Sequence, residues 1–426
     1  MDDVLTRFLS FLDGAPTPLH AVASAVARLE AAGFSAVSAA DPPPRLAPGA
    51  TGYVRQDGSL FAFRVGTKPP VEAGFRVIAA HTDSPNLRIK PQPLLKGQGY
   101  LRVGVDVYGG AQIATWVDRD LGIAGAVHVR SGGGIDTRLI DIRRPVARVP
   151  TLAIHLNRTV NDDGLKLNPQ TQLPAVLALE VDGGADPLRA LLADAAGCVP
   201  ADLVTWDLSL FDLTPAVRGG AGGEFVFSGR LDNLASCHAA LEAMLSDGSA
   251  PDATTVVALF DHEEIGSRTN RGADGRAIEV VLGWLCGDGS ALDRALARSW
   301  LVSADMAHAI HPAFADKAEP EHAPRMNGGP AIKLNVNQRY TTEGATAAMF
   351  VLLCERAEVP HQWYVHRSDL ACGSTVGPML ASRLGVRSVD VGNPMLSMHS
   401  AREQCGAVDH GSMIRVMARF LRDDLG

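Results

Sequence analysis

Apolar positions along the chain outline its elements. Val4, Leu5, Phe8, Leu9 and Leu12 recur at the spacing of a helix face, and P-L-H-A-V-A-S-A-V-A-R-L-E-A-A-G reads as a second helix closed by Gly33. F-R-V-I-A-A-H, residues 75 to 81, is a short apolar run suited to a buried strand, and it ends on a histidine. From about residue 90 the texture changes. Segments such as L-R-V-G-V-D-V-Y, A-G-A-V-H-V-R and T-L-A-I-H-L-N-R are short, β-branched and punctuated by Gly, Pro and Asp, with P-L-R-A-L-L-A-D-A-A as the clear helix among them. After about residue 228 the alternation returns. L-A-S-C-H-A-A-L-E-A-M-L and A-T-A-A-M-F-V-L-L-C-E-R-A read as helices, T-T-V-V-A-L-F, S-W-L-V-S-A-D and W-Y-V-H-R as strands, and S-M-I-R-V-M-A-R-F-L as a closing amphipathic helix. This order implies one α/β domain, residues 1–90 and 228–426, interrupted by a β-rich block at 91–227. P-P-P at 42–44 marks an early loop.

Length and charge narrow the class. A chain of 426 residues can bury a large core and leaves room for two or three domains. Its net charge of -8 is spread without a basic block or an acidic tail, which argues against nucleic acid and anionic membrane as partners. The start, M-D-D-V-L-T-R-F-L-S-F-L-D-G, lacks the basic region and continuous apolar core of a signal peptide, and no apolar run is long enough to span a bilayer. Six cysteines are scattered without a C-x-x-C pair, as expected of reduced thiols in a cytoplasmic protein rather than of a disulfide frame or a thiolate zinc site.

The chemistry begins with F-D-H-E-E-I-G-S, residues 260 to 267, where two carboxylates stand side by side at the end of an apolar strand. Four other places put metal-capable side chains just past such a run or in a Gly-rich turn: A-A-H-T-D-S-P, G-R-L-D-N-L-A-S, S-A-D-M-A-H-A-I-H-P and S-M-H-S-A-R-E-Q-C-G. Each has an ordinary structural explanation by itself, as a half-buried histidine, a helix cap or a solvated pair. Together they fall where an open α/β sheet binds ligands, beyond the carboxyl ends of its strands. Two histidines and several carboxylates without thiolate suit two divalent ions of the zinc, manganese or cobalt kind. In H-x-D, a carboxylate is placed to fix the second nitrogen of a ligating imidazole, which makes Asp83 an orienting partner of His81. Adjacent glutamates on a regular strand point to opposite faces, so Glu263 and Glu264 can serve one site only if the backbone turns there, and I-G-S supplies the glycine.

In order and over nearly the whole chain, these motifs resemble the M18 metallopeptidases, the aspartyl aminopeptidase family. The resemblance implies a di-zinc catalytic domain of mixed sheet flanked by helices, interrupted by a β-rich dimerisation domain, in a homo-oligomer assembled as a tetrahedral dodecamer. Carried over by residue, Asp232 would bridge two Zn2+ ions, with His81 and Asp305 completing one site and Glu264 and His399 the other. Glu263 would be the general base. His262 departs from the Asn expected before the glutamate pair. Lys333 corresponds to a lysine near the substrate, and His155 would reach the neighbouring subunit's site to stabilise an oxyanion. His308 and His311 follow the ligand Asp305, a position from which one of them either contacts substrate or supports the site structurally. Period-2 alternation, with Leu152, Ile154 and Leu156 on the apolar side, would place His155 on the polar face of a strand. C-G-S-T-V-G-P, residues 372 to 378, lacks a Lys and a partnered base and reads as a turn entering a helix. The expected activity is removal of single residues from peptide N-termini, favouring Asp or Glu. Aminopeptidases for neutral residues, related amidases and a silent metal-stapled scaffold are the alternatives.

Overall fold

The computed structural model describes residues 2–38, 40–41, 46–180, 186–287 and 289–425. The triple proline at 42–44 lies outside them. The chain divides into two compact units, one of residues 1–83, 216–398 and 403–426, the other of residues 84–215 together with 399–402.

The first unit is built on a nine-stranded mixed sheet. In spatial order its strands are Ser35–Ala36, Thr51–Gln56, Ser59–Arg64, Thr254–Phe260, Phe75–His81, Trp300–Ala304, Arg387–Gly392, Ala331–Leu334 and Gln362–Val365. The four central ones, from Thr254–Phe260 to Arg387–Gly392, are mutually parallel. They are near-continuous apolar runs because both faces are covered. Alternate residues of one strand enter different cores: Ile78 and Ala80 pack with helices Asp2–Gly14, Pro18–Ala31, Leu231–Leu245, Gly344–Arg356 and Ala407–Arg422, whereas Val77 and Ala79 pack with Ala277–Cys286 and Val376–Leu384. Parallel register aligns the strand ends, so His81 pairs with Phe260 and Ser303 with Ala79. A five-stranded sheet of Val217–Gly219, Phe225–Ser228, Glu403–Gly406, Pro394–Leu396 and Ala307–His308 completes this unit.

The second unit is a six-stranded antiparallel sheet in the order Gly134–Ala147, Leu121–Ser131, Leu203–Asp212, Asn86–Gly97, Tyr100–Tyr108, Ala175–Leu179. Helix Pro187–Ala196 covers its core through Leu188, Leu192 and Ala193. Asp186 caps that helix by accepting from Arg189 N, and Gly197, in the left-handed region, closes it.

One strand expectation fails. T-L-A-I-H-L-N-R forms no strand; its regular part is a single turn, Ile154–Leu156. Asp118 draws Thr151 aside by accepting from its N (3.2 Å) and its Oγ1 (2.5 Å). Among the described residues no strand pairs with this segment, so the alternation has no core to face, and Leu152, Ile154 and Leu156 are 59%, 46% and 74% exposed. His155 is exposed with them.

Candidate metal centre

The site gathers at the aligned ends of the central strands. His81 closes its strand with 1% of its surface exposed. Its Nδ1 lies 3.0 Å from the backbone oxygen of Asp83 and 3.4 Å from the Asp83 carboxylate. A carbonyl accepts only, so Nδ1 carries the proton and Nε2 is turned to the site. Nε2 stands 3.4 Å from Asp232 Oδ1, 3.7 Å from Asp305 Oδ1 and 3.9 Å from Glu263 Oε2. Burial disfavours a charged imidazole here, yet Glu263, Asp232, Asp305 and Asp83 outweigh it and raise the His81 pKa well above its ordinary value. Carboxylates dense enough to outweigh the burial of the ring make this a pocket that calls for positive charge.

The paired glutamates are resolved by the turn between them. His262 adopts the left-handed region (φ 64°), Glu263–Ile265 is a tight helical turn, and Gly266 follows at φ 95°. The left-handed region admits His, like Asn, more readily than most side chains, so the turn accommodates His262. Its ring is engaged outward, Nδ1 lying 2.9 Å from Thr269 Oγ1. The Asp83 carboxylate accepts from Glu263 N and Glu264 N, both at 3.1 Å, so Asp83 braces the turn as well as the imidazole. Burial pushes Glu263 up to about 9; His81 pulls against that, while Asp305, Glu264 and Asp83 add to it.

His81, Asp232 and Glu264 each offer a ligand atom, all within 4.8 Å of one another. Imidazole with carboxylates, in a buried and strongly anionic pocket, fits zinc. Cys237 is no ligand of this set: its Sγ donates to His81 O at 2.9 Å, and burial pushes the thiol up to about 12. Asp232 is held from both sides. Its N–H donates to Glu403 Oε2 (3.1 Å), and Asn233 Nδ2 donates to Ala304 O (2.8 Å), next to Asp305. Glu403 was not singled out from sequence; the available signal was an acid following M-H-S-A-R, beside a helix start, G-R-L-D-N, that has no Ser or Thr to cap it.

Lys333 lies on strand Ala331–Leu334 with 2% of its surface exposed. Its Nζ sits 5.3 Å from the Tyr340 ring centre, and among the described residues no ion pair or hydrogen bond engages it. His308 lines a recess of about 230 Å³ with His311, Phe314, Tyr364 and His366. By accessible surface His308 is exposed, yet the protein packed within a wider radius of it, then Lys333 and His366, lowers it to about 4. In C-G-S-T-V-G-P, Thr375 caps helix Val376–Leu384 by accepting from Gly377 N and donates to Asp390 Oδ1 at 2.7 Å. His399 and His155 belong to the other unit. There His399 takes the left-handed region (φ 67°), with Nδ1 3.2 Å from Gly110 O.

A buried imidazole and a ring of carboxylates beyond the ends of a parallel sheet define a metal-dependent α/β enzyme. The family described as "Aminopeptidase I zinc metalloprotease (M18)" matches residues 11–421, and the chain belongs to it. It is a zinc aminopeptidase, a hydrolase of peptide bonds. A probable M18 family aminopeptidase 2 of Pseudomonas entomophila is 48% identical over 99% of both chains, and one of Pseudomonas aeruginosa 46% identical over 97% of this chain and 96% of its own. Among solved structures, Ape4 in complex with Nbr1 superposes with a TM-score of 0.94 at 38% identity, over 99% of this chain and 85% of that one. The S. cerevisiae mApe1 dodecamer does so with a TM-score of 0.85 at 28% identity, over 100% of this chain and 97% of that one. No helix among the described residues is long and apolar enough to cross a membrane.

Proposed function

We propose that the enzyme removes Asp or Glu from peptide N-termini by a two-metal mechanism. The observation that carries the substrate preference is Lys333: a cation with 2% exposure and no anionic partner among the described residues. Burying a charge is costly unless it is paired, so a site that keeps one gains most when a ligand brings the opposite charge. An acidic first side chain does so.

His81, Asp232 and Asp305 would hold one zinc, and Asp232, Glu264 and His399 the other. Zinc held there would acidify water and polarise the scissile carbonyl. Glu263, not needed as a ligand, would take the proton of the attacking water and deliver it to the leaving amine, the two dications offsetting the burial and neighbouring carboxylates that otherwise keep it protonated. Asp83 keeps the His81 ring in register and holds the Glu263–Glu264 backbone, which supports distinct roles for two neighbouring carboxylates. His308 contacts the substrate beside Lys333. His155, on an exposed apolar segment with no core of its own, serves the site of a neighbouring subunit by donating to the oxyanion. The dodecamer of the mApe1 relative supports a homo-oligomeric assembly, which we propose is built of dimers and acts in the cytoplasm.

A panel of Asp, Glu, Leu and Ala substrates tests the preference against Lys333→Met. The substitution should lower kcat/KM for Asp and Glu by about ten- to a hundredfold relative to Leu and Ala, the worth of one charge-assisted contact. An equal loss for all four substrates would reduce Lys333 to a support of the fold.

A further inference from the structure

We propose that Glu403 is a positioning residue for the metal centre, holding the Asp232 backbone from a strand remote in sequence. The inference rests on the reading of Asp232 as a metal ligand. The start of helix Leu231–Leu245 has no cap of its own. Arg230 is in the left-handed region (φ 61°) and makes no side-chain cap; its guanidinium instead donates to Ala15 O (3.1 Å) and Leu12 O (3.3 Å). Asp232 (φ -82°, ψ 103°) and Asn233 (φ -127°, ψ 26°) both depart from helical geometry. Amides at such a start have no partner within the helix and must find one elsewhere.

The partner of the Asp232 amide is Glu403 Oε2, at 3.1 Å and 171 residues further along the chain. Glu403 is 2% exposed and opens strand Glu403–Gly406, where it pairs with Ser228 of Phe225–Ser228. The strand leading into G-R-L-D is thereby locked in register with the strand that carries the carboxylate. A buried carboxylate is tolerated where a donor and the positive end of a helix face it, and both are supplied here. Consecutive residues are thus tethered in different directions, Asp232 through its amide to Glu403 and Asn233 through its side chain to Ala304 O. The Asp232 carboxylate projects from a backbone that cannot rotate without breaking one tether.

The test is zinc affinity of the full chain, measured by competition with a chromophoric chelator, for wild type and for Glu403→Ala, Glu403→Gln, Glu403→Asp and Asp232→Asn. Loss of a group that orients a ligand typically weakens metal binding by about 10- to 100-fold, which is the expectation for Glu403→Ala. Glu403→Gln keeps an oxygen that accepts the same N–H and should bind zinc close to wild type. Thermal midpoints of the metal-free proteins separate the alternatives, because a merely structural glutamate would lower them and leave zinc affinity at 25 °C unmoved. Should Glu403→Ala fail to fold, Glu403→Asp withdraws the acceptor by one methylene and should weaken zinc; wild-type affinity there overturns the role. Loss in Glu403→Gln as large as in Glu403→Ala overturns it too, because charge rather than the accepted N–H would then matter. Wild-type affinity in Glu403→Ala, with loss in Asp232→Asn, refutes this inference alone. Full zinc retention in Asp232→Asn refutes the reading of Asp232 beneath it.

Discussion

Acid should destabilise this protein through two histidines that take no part in the metal centre. Arg28 Nη1 lies 3.1 Å from His238 Nε2, and His238 Nδ1 lies 2.8 Å from His410 Nε2. A guanidinium only donates, so His238 Nε2 accepts, and its Nδ1–H donates to His410. Both rings are neutral links in a buried chain that joins helices Pro18–Ala31, Leu231–Leu245 and Ala407–Arg422, with Phe8 stacked on His410 at 3.7 Å. The groups facing them are Arg7, Arg28 and Glu242, which pair among themselves. Burial lowers His410 to about 3, and burial, then His410, Arg28 and Arg7, lower His238 well below its ordinary value. A folded pKa below the unfolded one of about 6.5 contributes stability that is complete above about pH 6.5 and drains as pH falls toward the folded value. At pH 5 an unfolded histidine is mostly protonated while His410 is not, which costs about 2 kcal/mol, and His238 adds in the same direction. The assay is urea unfolding with zinc in fixed excess, from pH 7.5 to 5, for wild type and His410→Gln; the amide can still accept from His238 but does not titrate. Acid release of metal affects both proteins alike, so the reading is the difference between their slopes. Wild type should lose about 2 kcal/mol more than the variant over this interval, and parallel curves would refute the reasoning.

Two further outcomes test the chemistry. Glu263→Gln should retain zinc yet lower kcat by about 10²- to 10⁴-fold, the worth of a positioned acid or base, checked by elemental analysis beside turnover; loss of the metal or near-normal turnover would make Glu263 a ligand or a bystander. His155→Ala alone should cost about 10²- to 10³-fold, and mixed with Glu263→Gln subunits it should regain activity in verified hybrids, because some sites then have both residues intact; absence of recovery would place oxyanion stabilisation within one chain.

What the sequence made legible was whatever repeats within a few residues. The run F-R-V-I-A-A-H is continuous because its strand faces two cores, and the helices Leu231–Leu245, Gly344–Arg356 and Ala407–Arg422 follow from apolar positions three and four apart. Strand ends were therefore visible, and with them the places of His81, Glu263 and Asp305. The same local logic misread 151–158, where alternation is present but the partner strand it presupposes is not. Pattern states which face could be buried; only the rest of the fold states whether anything is there to bury it.

Positions fixed by long-range contacts leave little local trace. Glu403 reaches Asp232 across 171 residues and His238 meets His410 across 172, and neither pair has a spacing that a periodicity search could detect. The assignment of residues 399–402 to the second unit is likewise invisible in a segment that looks continuous. The division follows from the chemistry of the site. Side chains that bind a metal must be of a few types and must sit where strands end, and both properties are written locally. The groups that aim those side chains need only present one acceptor or donor at the right distance, which a glutamate, a carbonyl oxygen or an asparagine can do from almost anywhere in the fold. Here that task falls to the Asp83 backbone oxygen for His81, to Glu403 for Asp232 and to Asn233 for the strand end before Asp305. The precision of the centre therefore depends most on residues whose identity in the sequence is least distinctive, which is why substitutions at Glu403 discriminate better than further substitutions among the ligands.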